Sequence, residues 1–428
     1  MIIVRHGHVI AEGYWAPFTA DRHQMMYSLS KSFTSTAVGL AISEGKFGLY
    51  DPVLKILGDQ GPAMPTAYQS AMRVRDLLRM ESGQSEATIK SFNGDLCPDI
   101  VSWFLSQPVE YKPGSFWYYN SSATHILSAI VQRTTGQTLR DYLQPRLFQP
   151  LGITDPTWEK SAKGINLGYS GLRVRTRDIA SFGQLVLQGG QWDGRQLVPA
   201  AWIKAATSLQ ASNGGAPDSD WEQGYGYQFW RCRYGNFRGD GAFGQYCIIL
   251  PAQDAVVALT SGTGDMPREL GLVWSYLLPA LGNSPLAADS AADDRLSSRL
   301  GSLQIPTVAG DAQPPADVAG KTYEVGLPDG TNKTFLFSGT TLTIGNQGQT
   351  VVCPYAPNQW TTAGNAAYSG AWTADHTFVL ETQDLNLPFL HTLRLKFMGN
   401  EVWMDEEQQP HFDSYAPVLA LQGSSVDH

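Results

Sequence analysis

Apolar positions in the first two thirds of the chain switch between two periods. Ile2 to Tyr14 reads as a strand pair turned at Arg5-His6-Gly7-His8, whereas the largely apolar run from Phe33 to Ile42 reads as a buried helix. Helical spacing returns at Val74 to Arg79, closed by Ser82-Gly83. It appears again at Ala123 to Thr134, with Ser121-Ser122 as candidate caps and Gly136 as the stop, and at Arg177 to Gln188, ended by Gly189-Gly190. Strand signals then follow at Gly226-Tyr227-Gln228-Phe229-Trp230, Gln245 to Leu250 and Ala255 to Leu259, before a closing helix from Glu269 to Leu281. The simplest assembly is a sheet made from the two ends of this stretch with a helical block inserted between them, an α+β architecture.

From Gly282 to Ala319 the composition shifts to Ala, Ser, Asp and Pro, with one short helical pattern at Arg295 to Leu303. Beyond it helix signals vanish. Short alternating strands such as Lys321 to Val325, Phe335 to Phe337, Leu342 to Ile344, Thr377 to Glu381 and Leu393 to Phe397 take over, as in a small antiparallel barrel or sandwich. The expected organisation is therefore a first domain over residues 1–282, a linker with a short helix over 283–318, and an all-β domain over 319–428.

Composition narrows the function. A chain of 428 residues with 43% apolar residues can build two cores, and its net charge of −9 with no Lys/Arg cluster lacks the footprint that holds nucleic acid or anionic lipid. No apolar run has the length of a membrane span. Met1-Ile2-Ile3-Val4 meets Arg5 and His6 too soon for a signal peptide, so the chain as given reads as cytoplasmic, or as exported if an upstream leader was removed. Cys97, Cys232, Cys247 and Cys353 are scattered and read as core thiols; a Cys232–Cys247 bridge across a hairpin is the lesser alternative. None of the eight histidines has ligand spacing, so neither a metal nor another cofactor is expected.

The chemistry points to acyl transfer. In Ser28-Leu29-Ser30-Lys31 a hydroxyl and an amine stand three residues apart at the mouth of the buried helix, on one face, beside the first-turn N–H groups that favour an anion. Ser43-Glu44-Gly45-Lys46 has the same spacing at the opposite helix end, where carbonyls face the serine and the dipole opposes negative charge. Tyr118-Tyr119-Asn120 follows the Pro113-Gly114 turn and offers a phenol and an amide two apart, while Tyr234-Gly235-Asn236 reads as an ordinary hairpin turn. A third stretch, Arg238-Gly239-Asp240-Gly241-Ala242-Phe243-Gly244-Gln245, enters a core strand with side chains small enough for a substrate to lie along its edge. The Gly-x-Ser-x-Gly elbow of other serine hydrolases is absent, so a lysine or tyrosine must activate Ser28.

Taken in order, these three elements resemble the serine beta-lactamase and penicillin-recognising family, in its class C-like branch with esterases and D-amino-acid peptidases. Leu77-Leu78-Arg79-Met80-Glu81-Ser82-Gly83, Asp178-Ile179-Ala180-Ser181-Phe182-Gly183 and Tyr225-Gly226-Tyr227-Gln228-Phe229-Trp230 add to the likeness, which covers most of residues 1–280. The resemblance implies an antiparallel sheet flanked by helices, an all-helical subdomain beside it, and a site in the groove between them. It implies Ser28 as nucleophile, Lys31 as its proton acceptor or the holder of its geometry, Tyr118 as proton shuttle and Asn120 as a holder of Lys31 and the substrate carbonyl, with the general base left open between Lys31 and Tyr118. Tyr119 reads as a packing aromatic.

The N–H groups of Ser28 and Phe243 would form the oxyanion hole, and Asp240, Gly241 and Ala242 would border the substrate. Asp240 departs from the cation that the family carries there. It therefore implies weak beta-lactamase activity and a preference for esters, neutral amides or amine-bearing substrates, unless Arg238 supplies the cation or Asp240 only caps a turn. The tail resembles the lipocalin-like appendage of some members, with substrate restriction or self-association into a homo-oligomer as its expected uses. The rival reading is a silent penicillin-binding or sensor protein that acylates without turnover.

Overall fold

The computed structural model describes residues 1–89, 99–282, 284, 286–374, 376–411 and 419–426. They form two compact units. The first comprises Met1–Glu12, His23–Thr260 and Pro267–Leu286, and the second Gly13–Arg22, Ser261–Met266 and Ala287–His428.

In the first unit a six-stranded antiparallel sheet is built from β1 (Ile2–Arg5), β2 (His8–Glu12), β3 (Trp230–Arg231), β4 (Phe237–Gly241), β5 (Gln245–Leu250) and β6 (Ala255–Leu259). Their order is β2-β1-β6-β5-β4-β3, so the N-terminal hairpin joins the late strands, as the two-ended sheet requires. Ile3 lies opposite Val257 and Cys247 opposite Ala258. Strands β5 and β6 are buried throughout, which is why they read as continuous apolar runs rather than alternations.

Four helices position the site: α1 (Ser30–Ser43), α2 (Val74–Leu78), α3 (Ser121–Thr135) and α4 (Thr176–Leu187). Helix α1 is buried from Ser30 to Ala41, and its Phe33 ring stacks on Phe182 of α4 with centroids 4.0 Å apart. Burying a side chain such as Phe33 contributes about 1.5–3 kcal/mol, so this central helix is fixed by packing and not by propensity. Helix α3 is capped by Asn120, whose Oδ1 accepts from Ser122 N–H, and ends on Gly136 at φ +73°.

The second unit is dominated by one ten-stranded antiparallel sheet curled into a near-closed barrel, with Thr322–Gly326 and Leu419–Val426 paired at its centre. Alternate residues, among them Tyr323, Phe335, Phe337, Phe378, Leu395 and Phe397, fill its interior. The strands Thr361–Ala363, Ala366–Ala374 and Leu419–Val426 carry little strand signal because Ala, Gly and Ser occupy so many of their positions. The helix of the expected linker spans Ser290–Gly301.

One expectation changes, and the lesser alternative for the cysteines falls away. Gly226 to Trp230 is not a strand; only Trp230–Arg231 pairs, because Gln228 adopts φ +64° and breaks the extended run. Cys232 and Cys247 are free buried thiols, as is Cys353. The Cys247 Sγ faces the Ile179 carbonyl, and the Cys232 Sγ accepts from Arg238 Nη1 at 3.1 Å, so the two sulfurs are committed in different places. Cys97 lies outside the described residues. Among the described residues no helix is long and apolar enough to cross a membrane.

Candidate active site

Ser28 sits in a 3-10 turn, Tyr27–Leu29, that runs straight into α1. Tyr27 enters it at φ +44°, a conformation that costs a non-glycine residue about 1–3 kcal/mol and that recurs where a backbone presents a functional group. Close approach of β4 braces the turn. A Cβ on Gly241 would strike the Met26 carbonyl, and one on Gly239 would meet the Leu29 side chain and the Ser32 hydroxyl. The small residues of the third motif therefore make room for the serine turn, a different use from the substrate edge expected of them.

Lys31 lies one turn further on, 2% exposed, with Nζ 2.9 Å from Ser28 Oγ and donating to the Tyr169 carbonyl at 3.2 Å. Burial drives its pKa down to about 7, while the nearby Asp240 carboxylate opposes the shift. A substantial neutral fraction thus exists near pH 7. Ser28 itself remains partly exposed.

The phenol at this pair belongs to Tyr119 and not to Tyr118. The Tyr119 hydroxyl hydrogen-bonds Ser28, and Lys31 Nζ stands 4.7 Å from the centre of its ring. Burial, with a smaller push from Asp240, raises its pKa far above the ordinary phenol value, which keeps it protonated. Tyr118 instead stacks on Phe116, and Phe116 on Tyr111. The cause is parity. In an extended segment successive side chains point to opposite faces, so Trp117 and Tyr119 share the face that joins Met80, Tyr225 and Trp230, while Phe116 and Tyr118 take the other.

Asn120 is not at Lys31 either. Besides capping α3, its Oδ1 accepts from Thr88, and its Nδ2 donates to Gln84 Oε1 at 2.8 Å and to the Glu86 carbonyl. Its amide is spent on the helix start and on the segment from Gln84 to Thr88.

Asp240, on β4, is 8% exposed and ion-paired with Arg238 at 2.7 Å. It caps no turn. Burial raises its pKa, against the pull of Arg238 and Lys31. Arg238 is fully buried, donates to the Asp220 carbonyl and Cys232 Sγ, and lies over the Trp221 ring, so it cannot serve as an exposed cation for substrate. Ala242 and Phe243 form the hairpin tip between β4 and β5. Phe243 has φ +65°, and its ring meets that of Tyr27 edge-on at 5.4 Å, which brings the tip beside the serine turn.

Sequence reasoning passed over Tyr119 as packing and did not single out Tyr169, whose carbonyl holds the lysine from a loop without a motif.

A family profile described as Beta-lactamase matches residues 1–277, and the chain belongs to that family. It is 24% identical over 289 residues to the 6-aminohexanoate-dimer hydrolase of Paenarthrobacter ureafaciens, covering 62% of this chain and 72% of that protein. Esterase EstB of Burkholderia gladioli is 26% identical over 180 residues, 36% of this chain and 45% of the esterase. The structure of the octameric penicillin-binding protein homologue from Pyrococcus abyssi superposes with a TM-score of 0.52 at 14% identity, covering 98% of this chain and 94% of that one. That likeness extends the shared fold through the all-β unit. The protein is a beta-lactamase-family serine hydrolase.

Proposed function

We propose that the chain cleaves small esters or amides through an acyl-enzyme on Ser28, with Lys31 as base and Tyr119, in place of Tyr118, as proton shuttle. The observation that carries this reading is the buried Lys31 amine, 2.9 Å from Ser28 Oγ and poised near pH 7. Neutral Lys31 takes the Ser28 proton as Oγ attacks the carbonyl carbon. The tetrahedral oxyanion is received by the N–H groups of Ser28 and Phe243, each contributing about 3 kcal/mol. As the bond to the leaving group breaks, the Tyr119 hydroxyl gives it a proton and regains one from protonated Lys31. Water then enters by the reverse route, its proton passing to Lys31, and Ser28 is released with its hydroxyl restored.

Of the two candidates for general base, Lys31 is the better, because the same burial that favours its neutral form disfavours a Tyr119 phenolate. The substrate preference follows from charge. Asp240 is neutralised internally by Arg238, and that arginine is buried, so a substrate carboxylate finds no partner on β4. Neutral acyl groups suit the aromatic surroundings of Tyr119, which packs with Trp117 on the buried Tyr225 and Trp230. The names of the relatives, an esterase and a 6-aminohexanoate-dimer hydrolase, agree with this class. The octameric relative supports testing for self-association.

Turnover of p-nitrophenyl butyrate and nitrocefin by wild type and Ser28→Ala tests the proposal. Ester cleavage faster than nitrocefin cleavage, lost in Ser28→Ala, is expected. Fast nitrocefin hydrolysis with slow ester cleavage contradicts the substrate class, and a permanent adduct without turnover indicates the sensor reading.

A further inference from the structure

We infer that Gln228 is a positioning residue for the reaction: it ties α1, which continues the turn that carries Ser28 and Lys31, to α3, which follows Tyr119, and to the end of α2. The inference rests on the roles proposed for those three residues. Gln228 is 2% exposed and lies in the loop before β3, at φ +64°. A left-handed glutamine in the interior persists only where its surroundings hold it there, and here its polar groups are all engaged.

Its carbonyl accepts from Ser32 Oγ at 2.9 Å, and Ser32 directly follows Lys31 on α1. Its Oε1 accepts from Thr124 Oγ1 at 2.7 Å, on the first turns of α3 just beyond Tyr119. Its N–H and Nε2 both donate to the Leu78 carbonyl, and Nε2 also donates to that of Leu77, at the end of α2. Two residues on, the Met80 carbonyl accepts from Tyr118 N–H and the Met80 Sδ from Asn120 N–H, so the α2 end flanks the Tyr119 backbone on both sides.

Ser28 and Lys31 reach each other within one helical turn. Tyr119 comes from a separate segment, and its registry with α1 is a long-range matter. Gln228 bonds to both sides of that junction. A displacement of about 1 Å between reacting groups can cost about a hundredfold in rate, so loss of these ties should appear in turnover more than in substrate affinity.

The test uses the full chain with p-nitrophenyl butyrate. Gln228→Met keeps the volume and removes the side-chain bonds, Thr124→Val removes the link to α3, and Thr124→Ser restores that hydroxyl. Thr207→Val deletes a buried hydroxyl bond to the Ile203 carbonyl within its own helix and serves as a stability control. For Gln228→Met and Thr124→Val, kcat should fall about ten- to a hundredfold with KM changed less than about twofold, and the acid limb of the pH–rate profile should move. Thr124→Ser should recover most of the loss, while Thr207→Val should lower Tm and leave kcat alone.

If Thr124→Val loses stability like the control but keeps wild-type kcat and pH limb, Gln228 is only scaffold and the inference fails. Thr124→Val decides this even where Gln228→Met does not fold. The underlying reading fails separately, if Ser28→Ala still turns over.

Discussion

The Tyr119 hydroxyl hydrogen-bonds Ser28 while the same ring lies 4.7 Å from the Lys31 amine, so one aromatic side chain contacts both members of the nucleophile pair. Its neighbour Tyr118 faces Phe116. Removing each phenol therefore separates a chemical role from a packing role. We expect Tyr119→Phe to lower kcat by about 10²–10⁴, the usual worth of a positioned proton donor, and Tyr118→Phe to stay within about threefold of wild type. Steady-state ester kinetics on the two variants check this.

The contrast also shows what the chain made legible. Ser28 and Lys31 are related by a local helical spacing, and helix position told them apart from the decoy at Ser43 and Lys46. Phe116-Trp117-Tyr118-Tyr119 is aromatic at every position, so no alternation marks which face meets the serine. That choice is made by Met80, Tyr225 and Trp230, which arrive from elsewhere in the chain. Asn120 was equally ambiguous, since an asparagine before two serines suits a cap as well as a site. The two-ended sheet was legible from continuous apolar strands, whereas Gln228 hid inside what looks like one more strand because its left-handed backbone is imposed by partners in three other segments.

Lys31 titrates near 7 in the folded protein and near 10.5 when unfolded, and burial is the main cause. Activity should therefore rise as pH increases through about 7, as the amine loses its proton. Stability moves in the same direction over a higher window. The unfolded chain binds more protons between about pH 7 and 10.5, so the penalty of burying this amine grows as pH falls across that window and is constant below it. Lys31→Met should be inactive yet more stable than wild type at pH 7, by up to about 5 kcal/mol, with the advantage shrinking toward pH 10. Denaturant unfolding across that range reads the effect.

Arg238 and Asp240 are a buried pair whose partners were each placed by the other. Asp240→Asn leaves the guanidinium without its counter-charge and should cost about 3–5 kcal/mol, while Arg238→Met combined with Asp240→Leu should recover much of that loss. Urea unfolding of the single and double variants measures it. A double variant as unstable as the single one would mean that the pair is not the source of the cost.

Gly241 tests how closely β4 supports the nucleophile. Gly241→Ala puts a methyl against the Met26 carbonyl, next to the serine turn. We expect a loss of about 1–3 kcal/mol in stability and a drop in kcat larger than that loss explains, since the turn that carries Ser28 has to move. Comparing Tm and kcat of Gly241→Ala separates the two effects.

The central claim is covalent chemistry at one hydroxyl. Acid-quenching the enzyme during p-nitrophenyl butyrate turnover, then measuring intact mass and mapping peptides, tests it most directly. The account predicts a butyryl adduct on Ser28, accumulating further in Tyr119→Phe and missing in Ser28→Ala. An adduct on another residue, or undiminished turnover in Ser28→Ala, would contradict it.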